Sequence, residues 1–271
     1  MRFITCRLPD GVEDPAILSE DGRQVWPLSW LGLSYETLSE AIPFLTPQVR
    51  YGLSLAIAGI PALPVEAITL ESPIPAPAQD VICLGINYMA HSDEAEKYSA
   101  AAFATKHEDA IYFSKRVNEA VAPGGDILSH SDLVADLDYE AELAVVIGRP
   151  AYNVSEADAL DYVFGYTILN DVSARTIQNQ HKQWYRGKSL DGFTPMGPWI
   201  VTPDEFDVRR PQKIQSRING ELRQDSTTDL MVFHVPYVIA ELSQGMTLRP
   251  GTIISMGTPA GVGTVSYTHL R

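Results

Sequence analysis

Residues 138–147, with the sequence DYEAELAVVI, constrain the fold of this chain more than any other stretch. Successive side chains of a β-strand point to opposite faces. Read as a strand, this stretch therefore has one wholly apolar face, while the other face carries Asp138, Glu140 and Glu142 before it becomes apolar as well. This pattern predicts a strand that runs from a polar site into the protein core.

Glu140 and Glu142 suggest more than an ordinary strand, because glutamate is a poor strand former. Two carboxylates on one strand face lie about 7 Å apart and repel each other. In a partly dry site, one of them must take up a proton or both must share a cation. A hard divalent ion with oxygen ligands is a suitable cation. A solvated strand face explains the same pattern without an ion, and the pattern alone leaves both interpretations open.

Composition and charge narrow the class of protein. Hydrophobic residues make up 45% of the 271 residues and charged residues 20%, which is typical of a soluble globular protein. The net charge of -14 disfavours nucleic acid or an anionic membrane surface as a partner. Cys6 and Cys83 match no metal-ligand spacing and are expected to be reduced thiols. Since no apolar run approaches the ~18 residues of a membrane-spanning helix, we expect a cytoplasmic protein.

A proline-rich stretch at residues 72–77 is the best candidate for a domain boundary, because proline favours an extended connection. It predicts a small N-terminal domain, residues 1–72, and a main domain, residues 73–271. Strand patterns dominate the main domain, and Asn219-Gly220 is a strong hairpin signal. Because the helical patterns are short and scattered, we expect a mixed β roll with peripheral helices rather than a doubly wound α/β sheet.

A possible general base lies in residues 85–94, GINYMAHSDE, which lead from a strand end into a predicted helix. His91 and Glu94 are three residues apart and would share one helical face. The carboxylate could then fix the imidazole tautomer and raise its basicity, which suits a general base. An ordinary surface ion pair explains the same spacing.

Further candidate residues lie later in the chain. Asp171 follows a predicted strand and could supply a third carboxylate, and Arg175 would share its face on a predicted helix, residues 173–184. Alternatively, Asp171 caps that helix. Lys188 lies in a segment, residues 187–198, that is rich in turn residues and predicts a loop, where a lysine is usually solvated.

A glycine-rich turn at residues 257–263 could present backbone N–H groups to a carboxylate, although one such turn is a weak signal. The sequence contains no Gly-x-Ser-x-Gly elbow, no paired cysteines and no His-Glu-x-x-His helix. These absences argue against a serine hydrolase, a zinc site or a dinucleotide-binding enzyme.

Taken together, the motifs resemble the fumarylacetoacetate hydrolase family in order and wording. The family pattern GxNYxxHxxE is matched by residues 85–94, and its ExE pattern by residues 140–142. Four further segments are typical of the family: residues 165–175, the loop around Lys188, residues 219–224 and residues 257–263. The resemblance covers about residues 73–263. After Gly263 the sequence departs from the family pattern, so the tail looks altered or cut short.

The resemblance implies a fold and a set of site residues. The fold would be α+β and mainly β, a mixed β-sandwich roll with peripheral short helices and a small N-terminal domain, usually assembled as a homodimer. Mg²⁺ or Mn²⁺ would be bound by Glu140, Glu142 and Asp171. The catalytic residues would be a water-activating dyad and an oxyanion-stabilising lysine, namely His91, Glu94 and Lys188. Substrate-binding residues would be Arg175, Tyr88, Gly257 and Thr258.

The implied reaction is hydrolysis of a carbon–carbon bond in an acylpyruvate or related β-diketo acid, through a metal-stabilised enolate. The same enolate serves isomerisation of 2-hydroxyhepta-2,4-diene-1,7-dioate-type dienedioates or decarboxylation of oxaloacetate, and the sequence does not choose between these outcomes. A hypothesis of another class is a non-catalytic β-roll binding module that holds a structural ion. The expected small-molecule partner of the enzyme is a 2-oxo or β-diketo acid.

Overall fold

One mixed sheet of eleven strands organises the computed structural model, which describes residues 1–89 and 109–263. In chain order its strands are β1 (Arg2–Arg7), β2 (Glu13–Leu18), β3 (Gln24–Pro27), β4 (Leu63–Pro64), β5 (Thr69–Glu71), β6 (Val81–Gly85) and β7 (Ile111–Lys115). The next strand, β8 (Leu137–Asp138), belongs to a separate small sheet. The large sheet continues with β9 (Ala141–Ile147) and β10 (Val163–Asn170).

Two small sheets and the last two strands of the large sheet complete the β structure. They comprise β11 (Ser173–Ala174), β12 (Met196–Val201), β13 (Lys213–Ile218), β14 (Glu221–Thr227) and β15 (Ile253–Ser255). Strand β11 pairs with β8, and β13 pairs with β14. The large sheet has the order β4-β3-β2-β1-β12-β10-β9-β15-β6-β7, with β5 also paired to β1. Strand β9 therefore lies inside the sheet, between β10 and β15.

The helices are short and lie around the sheet. The α-helices are α1 (Leu38–Ala41), α2 (Pro47–Ala56), α3 (Arg175–Gln180), α4 (Tyr185–Lys188) and α5 (Val235–Ser243). The 3-10 helices are Leu28–Leu31, Ile42–Phe44, Ile57–Gly59, Val65–Ala67, Ala159–Tyr162 and Thr228–Leu230. Over residues 1–89 and 109–263, no helix has the length and apolarity that crossing a membrane requires. The mainly β, α+β class that the sequence predicts is confirmed.

The N-terminal strands continue the sheet of the main part of the chain. Strand β1 pairs antiparallel with β12, with Arg2 opposite Val201 and Phe3 opposite Ile200. Side chains from both parts also share one core cluster, for example Phe3 and Phe164, whose ring centroids are 5.3 Å apart. The pairing of β1 with β12 joins residues 1–72 and the main part of the chain in one sheet. The separate N-terminal domain and the closed roll stay predictions.

Strand β9 has the alternation that the sequence predicts. Leu143, Val145 and Ile147 pack in one hydrophobic cluster, and Ala144 and Val146 pack in another. Because consecutive side chains point to opposite faces, the strand is covered on both sides and every residue of it is buried. The predicted continuous strand over residues 138–147 is wrong in one respect, since the chain leaves the strand conformation between β8 and β9.

Two further expectations about local structure have different outcomes. The hairpin at Asn219-Gly220 is confirmed, and both residues have positive φ angles, 52° and 81°, as a type I′ turn requires. The helix predicted over residues 173–184 is wrong, because Ser173 and Ala174 pair with β8 and α3 begins only at Arg175. Strand pairing here overrides the local helical pattern.

Gly165 in β10 gives a test of the packing between β10 and β12. A Cβ atom at this position would lie 2.5 Å from the Val201 carbonyl oxygen and 2.6 Å from Ile200 Cγ2. We expect Gly165→Ala to lower the free energy of unfolding by about 1–3 kcal/mol, as overpacking of a core does. Chemical denaturation measures the change. Gly52→Ala in α2 is a matched control, since a Cβ atom there meets nothing within 4 Å, and equal stability of the two variants would contradict this packing.

Candidate metal centre and active site

Strand register brings three carboxylates to one place. Glu142 is the second residue of β9, Glu140 directly precedes that strand, and Asp171 directly follows β10. Strands β9 and β10 are antiparallel neighbours, with Ala141 opposite Asn170. The backbone N–H of Asp171 donates to the carbonyl oxygen of Glu140 at 2.8 Å. The end of one strand thus lies beside the start of the other.

One carboxylate oxygen from each of Glu140, Glu142 and Asp171 lies within 4.8 Å of the other two. All three residues are buried, with exposed fractions of 5%, 1% and 0%. Burial, and then the charges of Asp171 and Glu140, raise the pKa of Glu142 well above its ordinary value. The structure brings together the three carboxylates that the sequence singled out, while their role as metal ligands stays a prediction.

Glu142 is oriented by the turn that follows β15. The Ser255 hydroxyl donates to Glu142 Oε2 at 2.6 Å, and the Gly257 N–H donates to the same oxygen at 2.9 Å. Gly257 has a φ of +84°, and a Cβ atom there would lie 2.9 Å from Asn87 Cβ, so glycine is required. The Gly257 N–H donates to Glu142, and the predicted substrate-binding role of Gly257 stays a prediction.

Lys188 lies between two of the carboxylates. Its Nζ is 2.8 Å from Glu140 Oε2 and 2.7 Å from Asp171 Oδ2, and its exposed fraction is 2%. Burial lowers the pKa of Lys188, but attraction to Asp171 and Glu140 outweighs burial and raises it overall. The expectation of a solvated loop lysine is wrong, since Lys188 is the last residue of α4 and packs against the carboxylate cluster of Glu140, Glu142 and Asp171, here called the centre.

Arg175 is bound to carboxylates of its own. Its Nη1 lies 2.6 Å from Glu140 Oε1, while Nε and Nη2 lie 2.7 and 2.6 Å from Asp138 Oδ2. Arg175 begins α3 and Asp171 precedes β11, so the expectation that both share a helical face is wrong. Asp171 does not cap α3 either, since the N-cap residue is Ala174 and has no side-chain cap hydrogen bond. Arg175 orients Glu140, and its substrate-binding role stays a prediction.

Lys115 belongs to the centre, although the sequence gave no reason to select it. It is the last residue of β7 and is fully buried. Its Nζ donates to Asp171 Oδ1 at 2.7 Å, to the Val172 carbonyl at 3.1 Å and to the Lys188 carbonyl at 2.5 Å. A lysine at the end of a short apolar strand is usually solvated, so no local signal reveals these contacts.

Gln224 of β14 ties the glycine-rich turn to the start of β9. It is fully buried. Its Oε1 accepts from the Ala141 N–H at 3.1 Å, and its Nε2 donates to Thr258 Oγ1 at 2.6 Å and to the Pro259 carbonyl at 2.8 Å. Thr258 in turn donates to the Ala141 carbonyl at 3.0 Å. Gln224 lies in a segment that is typical of the family, but the sequence did not reveal its contacts with Ala141 and Thr258. The substrate-binding role of Thr258 stays a prediction.

Tyr88 has a buried hydroxyl that makes no hydrogen bond to the described residues. Burial, and then the charges of Glu142 and Asp229, raise its pKa. A buried hydroxyl without a protein partner is compatible with the predicted contact to substrate, which stays a prediction. The predicted dyad of His91 and Glu94 lies outside the residues that the structure describes.

Residues 80–271 match the family model described as "Fumarylacetoacetate (FAA) hydrolase C-terminal", which is well over half of the chain. The chain belongs to the fumarylacetoacetate hydrolase family. The family is as the sequence predicted.

Relatives of known structure or activity are similar over much of the chain. Oxaloacetate tautomerase YisK of Bacillus subtilis is 43% identical over 199 residues, which cover 73% of this chain and 64% of that protein. This chain therefore covers less than two thirds of that relative.

Two solved structures extend the comparison. A fumarylacetoacetate hydrolase from Exiguobacterium antarcticum has a TM-score of 0.84 and 36% identity, covering 100% of this chain and 92% of its own. A maleylpyruvate hydrolase from Sphingobium sp. SYK-6, in complex with manganese(II) and pyruvate, has a TM-score of 0.77 and 27% identity, covering 97% and 90%. The whole described fold is thus similar to that of family members.

Proposed function

We propose that this protein is a divalent-metal-dependent enzyme that acts on small 2-oxo acids through an enolate. The reaction supported best is keto–enol interconversion of oxaloacetate or a similar 2-oxo dicarboxylate. The observation that carries the proposal is the buried cluster of Glu140, Glu142 and Asp171 beside Lys188. The tautomerase name of the 43% identical relative favours this outcome over others of the same enolate.

The donor set suits Mg²⁺ or Mn²⁺. All three candidate ligands are carboxylates, and hard cations prefer oxygen ligands. Among the described residues, four acidic side chains meet three basic ones at the centre, which leaves a net charge of -1; they are Asp138, Glu140, Glu142 and Asp171 against Lys115, Arg175 and Lys188. A divalent ion would reverse the sign of that charge, so that an organic acid anion is attracted into a protein whose overall charge is -14.

A bound ion would supply Lewis acidity to the carboxylate and the neighbouring oxo group of the substrate. The residues of the chain would do the rest. Lys188, whose raised pKa keeps it protonated, would place a positive charge beside developing oxyanion charge. Arg175 and Lys115 hold Glu140 and Asp171 in place, so that neither carboxylate must reorganise during the reaction.

We assign proton transfer to the predicted dyad of His91 and Glu94. Interconversion of keto and enol forms moves one proton between the carbon beside the oxo group and the enol oxygen, so it needs a group that takes the proton from one of these atoms and delivers it to the other. Under this proposal His91, oriented by Glu94, is that base. Without a water molecule delivered to an acyl carbon, the enolate is simply reprotonated.

A second candidate is the hydrolysis of an acylpyruvate-type substrate, in which the same base activates water. The Sphingobium neighbour, which is named a maleylpyruvate hydrolase and was solved with manganese(II) and pyruvate, favours this candidate. Isomerisation of a dienedioate and decarboxylation of oxaloacetate use the same enolate, and the substrate panel described next includes their substrates. We also propose that the protein is a homodimer, which the mass of the purified protein in solution tests. We propose that it is cytoplasmic, which cell fractionation tests.

The experiment is a substrate panel with a metal control. Enol oxaloacetate, acylpyruvates and dienedioates are followed by the loss of their conjugated ultraviolet absorbance, with Mg²⁺ or Mn²⁺, after chelation, and after the ion is added back. We expect turnover of enol oxaloacetate that disappears on chelation and returns with the ion. Faster turnover of an acylpyruvate would favour hydrolysis, and metal-loaded protein that converts no member of the panel would contradict the enzyme proposal.

A further inference from the structure

A cavity of about 550 Å³ lies where α2 packs beside β2 and β3. In the order of the large sheet, β1, β12 and β10 separate β2 from β9, so this cavity is distinct from the carboxylate cluster. Its volume falls within the range of about 300–1,000 Å³ that is typical of small-molecule sites. The residues that line it include Ile17, Trp26, Arg50, Tyr51, Asp204 and Glu205.

The inner wall of the cavity is apolar and aromatic. Ile17, Leu18 and Trp26 line it and are at least nine-tenths buried in the protein. The Trp26 indole N–H already donates to the Ile60 carbonyl at 3.0 Å, so Trp26 offers only apolar surface to a ligand. Tyr51, which is 68% exposed, lies at the rim. Such a wall suits a flat or branched apolar group.

Arg50 contributes a guanidinium to this cavity. Its guanidinium lies 5.8 Å from the centre of the Phe164 ring, and its one hydrogen bond to the described residues is a long one, 3.5 Å, to the Leu45 carbonyl. No carboxylate of the described residues lies within 4.0 Å of it. Burial lowers the pKa of Arg50, and the charge of Asp204 offsets only part of this effect. A guanidinium fork of this kind matches a carboxylate.

Two of the three acidic residues that line the same cavity pair with other groups, and the third, Glu20, is exposed. Glu205 lies 2.6 Å from the amino group of Met1 and 3.3 Å from Arg2 Nε, and Asp204 lies 3.2 Å from the same amino group. The charge of Asp204 and Glu205 is therefore largely balanced locally. Arg50 forms no ion pair within 4.0 Å with any of these three carboxylates, although the charge of Asp204 acts on it.

We propose that this cavity is an accessory binding site for a small monocarboxylate with an apolar or aromatic body. The carboxylate binds the Arg50 guanidinium, and the body lies against Trp26 and Ile17. The site is independent of the carboxylate cluster and of the reaction proposed for it.

The test uses the full chain loaded with Mg²⁺ and saturated with oxalate, so that acids cannot bind at the carboxylate cluster. Phenylacetate, indole-3-acetate and hexanoate are titrated by calorimetry. We expect at least one of them to bind with a Kd below about 1 mM, and its neutral amide to bind at least about tenfold more weakly. Arg50→Met is expected to weaken binding of the acid at least about tenfold while metal-dependent turnover stays unchanged.

Arg210→Met is the matched control, because Arg210 is 81% exposed and lies outside this cavity. Three results would overturn the proposal. They are the failure of all three acids to bind below about 1 mM, equal binding of an acid and its amide, and unchanged binding by Arg50→Met. None of these outcomes depends on whether the enzyme acts on oxaloacetate.

Discussion

Replacing Glu142 by glutamine is expected to reduce metal-dependent turnover by at least about 100-fold and to leave the fold intact. Glutamine has the shape of glutamate, and its side-chain oxygen can still accept from Ser255 and Gly257, which hold Glu142 at 2.6 and 2.9 Å. What the variant loses is a negative charge among three crowded carboxylates. Divalent ions bind carboxylate oxygens far better than amide oxygens in such a site. Metal titration by calorimetry and turnover with saturating substrate measure the effect.

The same variant separates an enzyme from a module that holds a structural ion. Because burial and neighbouring charges raise the pKa of Glu142, removing this carboxylate relieves repulsion, and we expect the metal-free variant to be at least as stable as metal-free wild type. Glu119→Gln, at an exposed position, is the control. Retained turnover in Glu142→Gln would contradict the proposed ligand, and a large loss of thermal stability would favour the structural module.

Replacing Lys115 by methionine is expected to have the largest effect on stability. It would leave Asp171 Oδ1 and the Val172 and Lys188 carbonyls without the ammonium that they share. Removing one partner of a buried ion pair typically costs about 3–5 kcal/mol. Because Asp171 keeps its ion pair of 2.7 Å with Lys188, we expect a loss near the lower end of that range. Chemical denaturation of the metal-free protein measures the loss. Since a divalent ion supplies positive charge to Asp171, we expect Mg²⁺ to recover part of it.

Arg116→Met is a matched control for Lys115. Arg116 is the next residue and forms an ion pair of 2.5 Å with Asp80, but its side chain is 54% exposed. Exposed pairs contribute at most about 1 kcal/mol, so this variant should be nearly as stable as wild type. If Lys115→Met lost no more stability than Arg116→Met, the buried ammonium would not be what holds Asp171.

The parts of this protein that could be predicted are those set by local sequence. Side-chain alternation predicted that Glu140 and Glu142 lie on the same side of the chain at the start of β9, and the turn chemistry of Asn219-Gly220 predicted its hairpin. Lys115 could not be predicted, since its partner Asp171 lies 56 residues away and its burial depends on how β7, β10 and α4 meet.

Errors in the predicted local structure have a similar cause. Ser173 and Ala174 look helical in sequence, but they pair with β8, whose position depends on the larger sheet. Lys188 lies in a segment with the composition of a loop, but two buried carboxylates hold it in the centre. In each case a contact distant in sequence outweighs the local preference.

The most direct test of the central claim is a crystal structure with Mn²⁺ and oxalate, a stable analogue of a 2-oxo acid enolate, with the ion located by its anomalous scattering. We expect one Mn²⁺ within about 2.0–2.6 Å of oxygens from Glu140, Glu142 and Asp171, with oxalate completing its coordination. Manganese bound at another site, or absent from this cluster at saturating concentration, would contradict it.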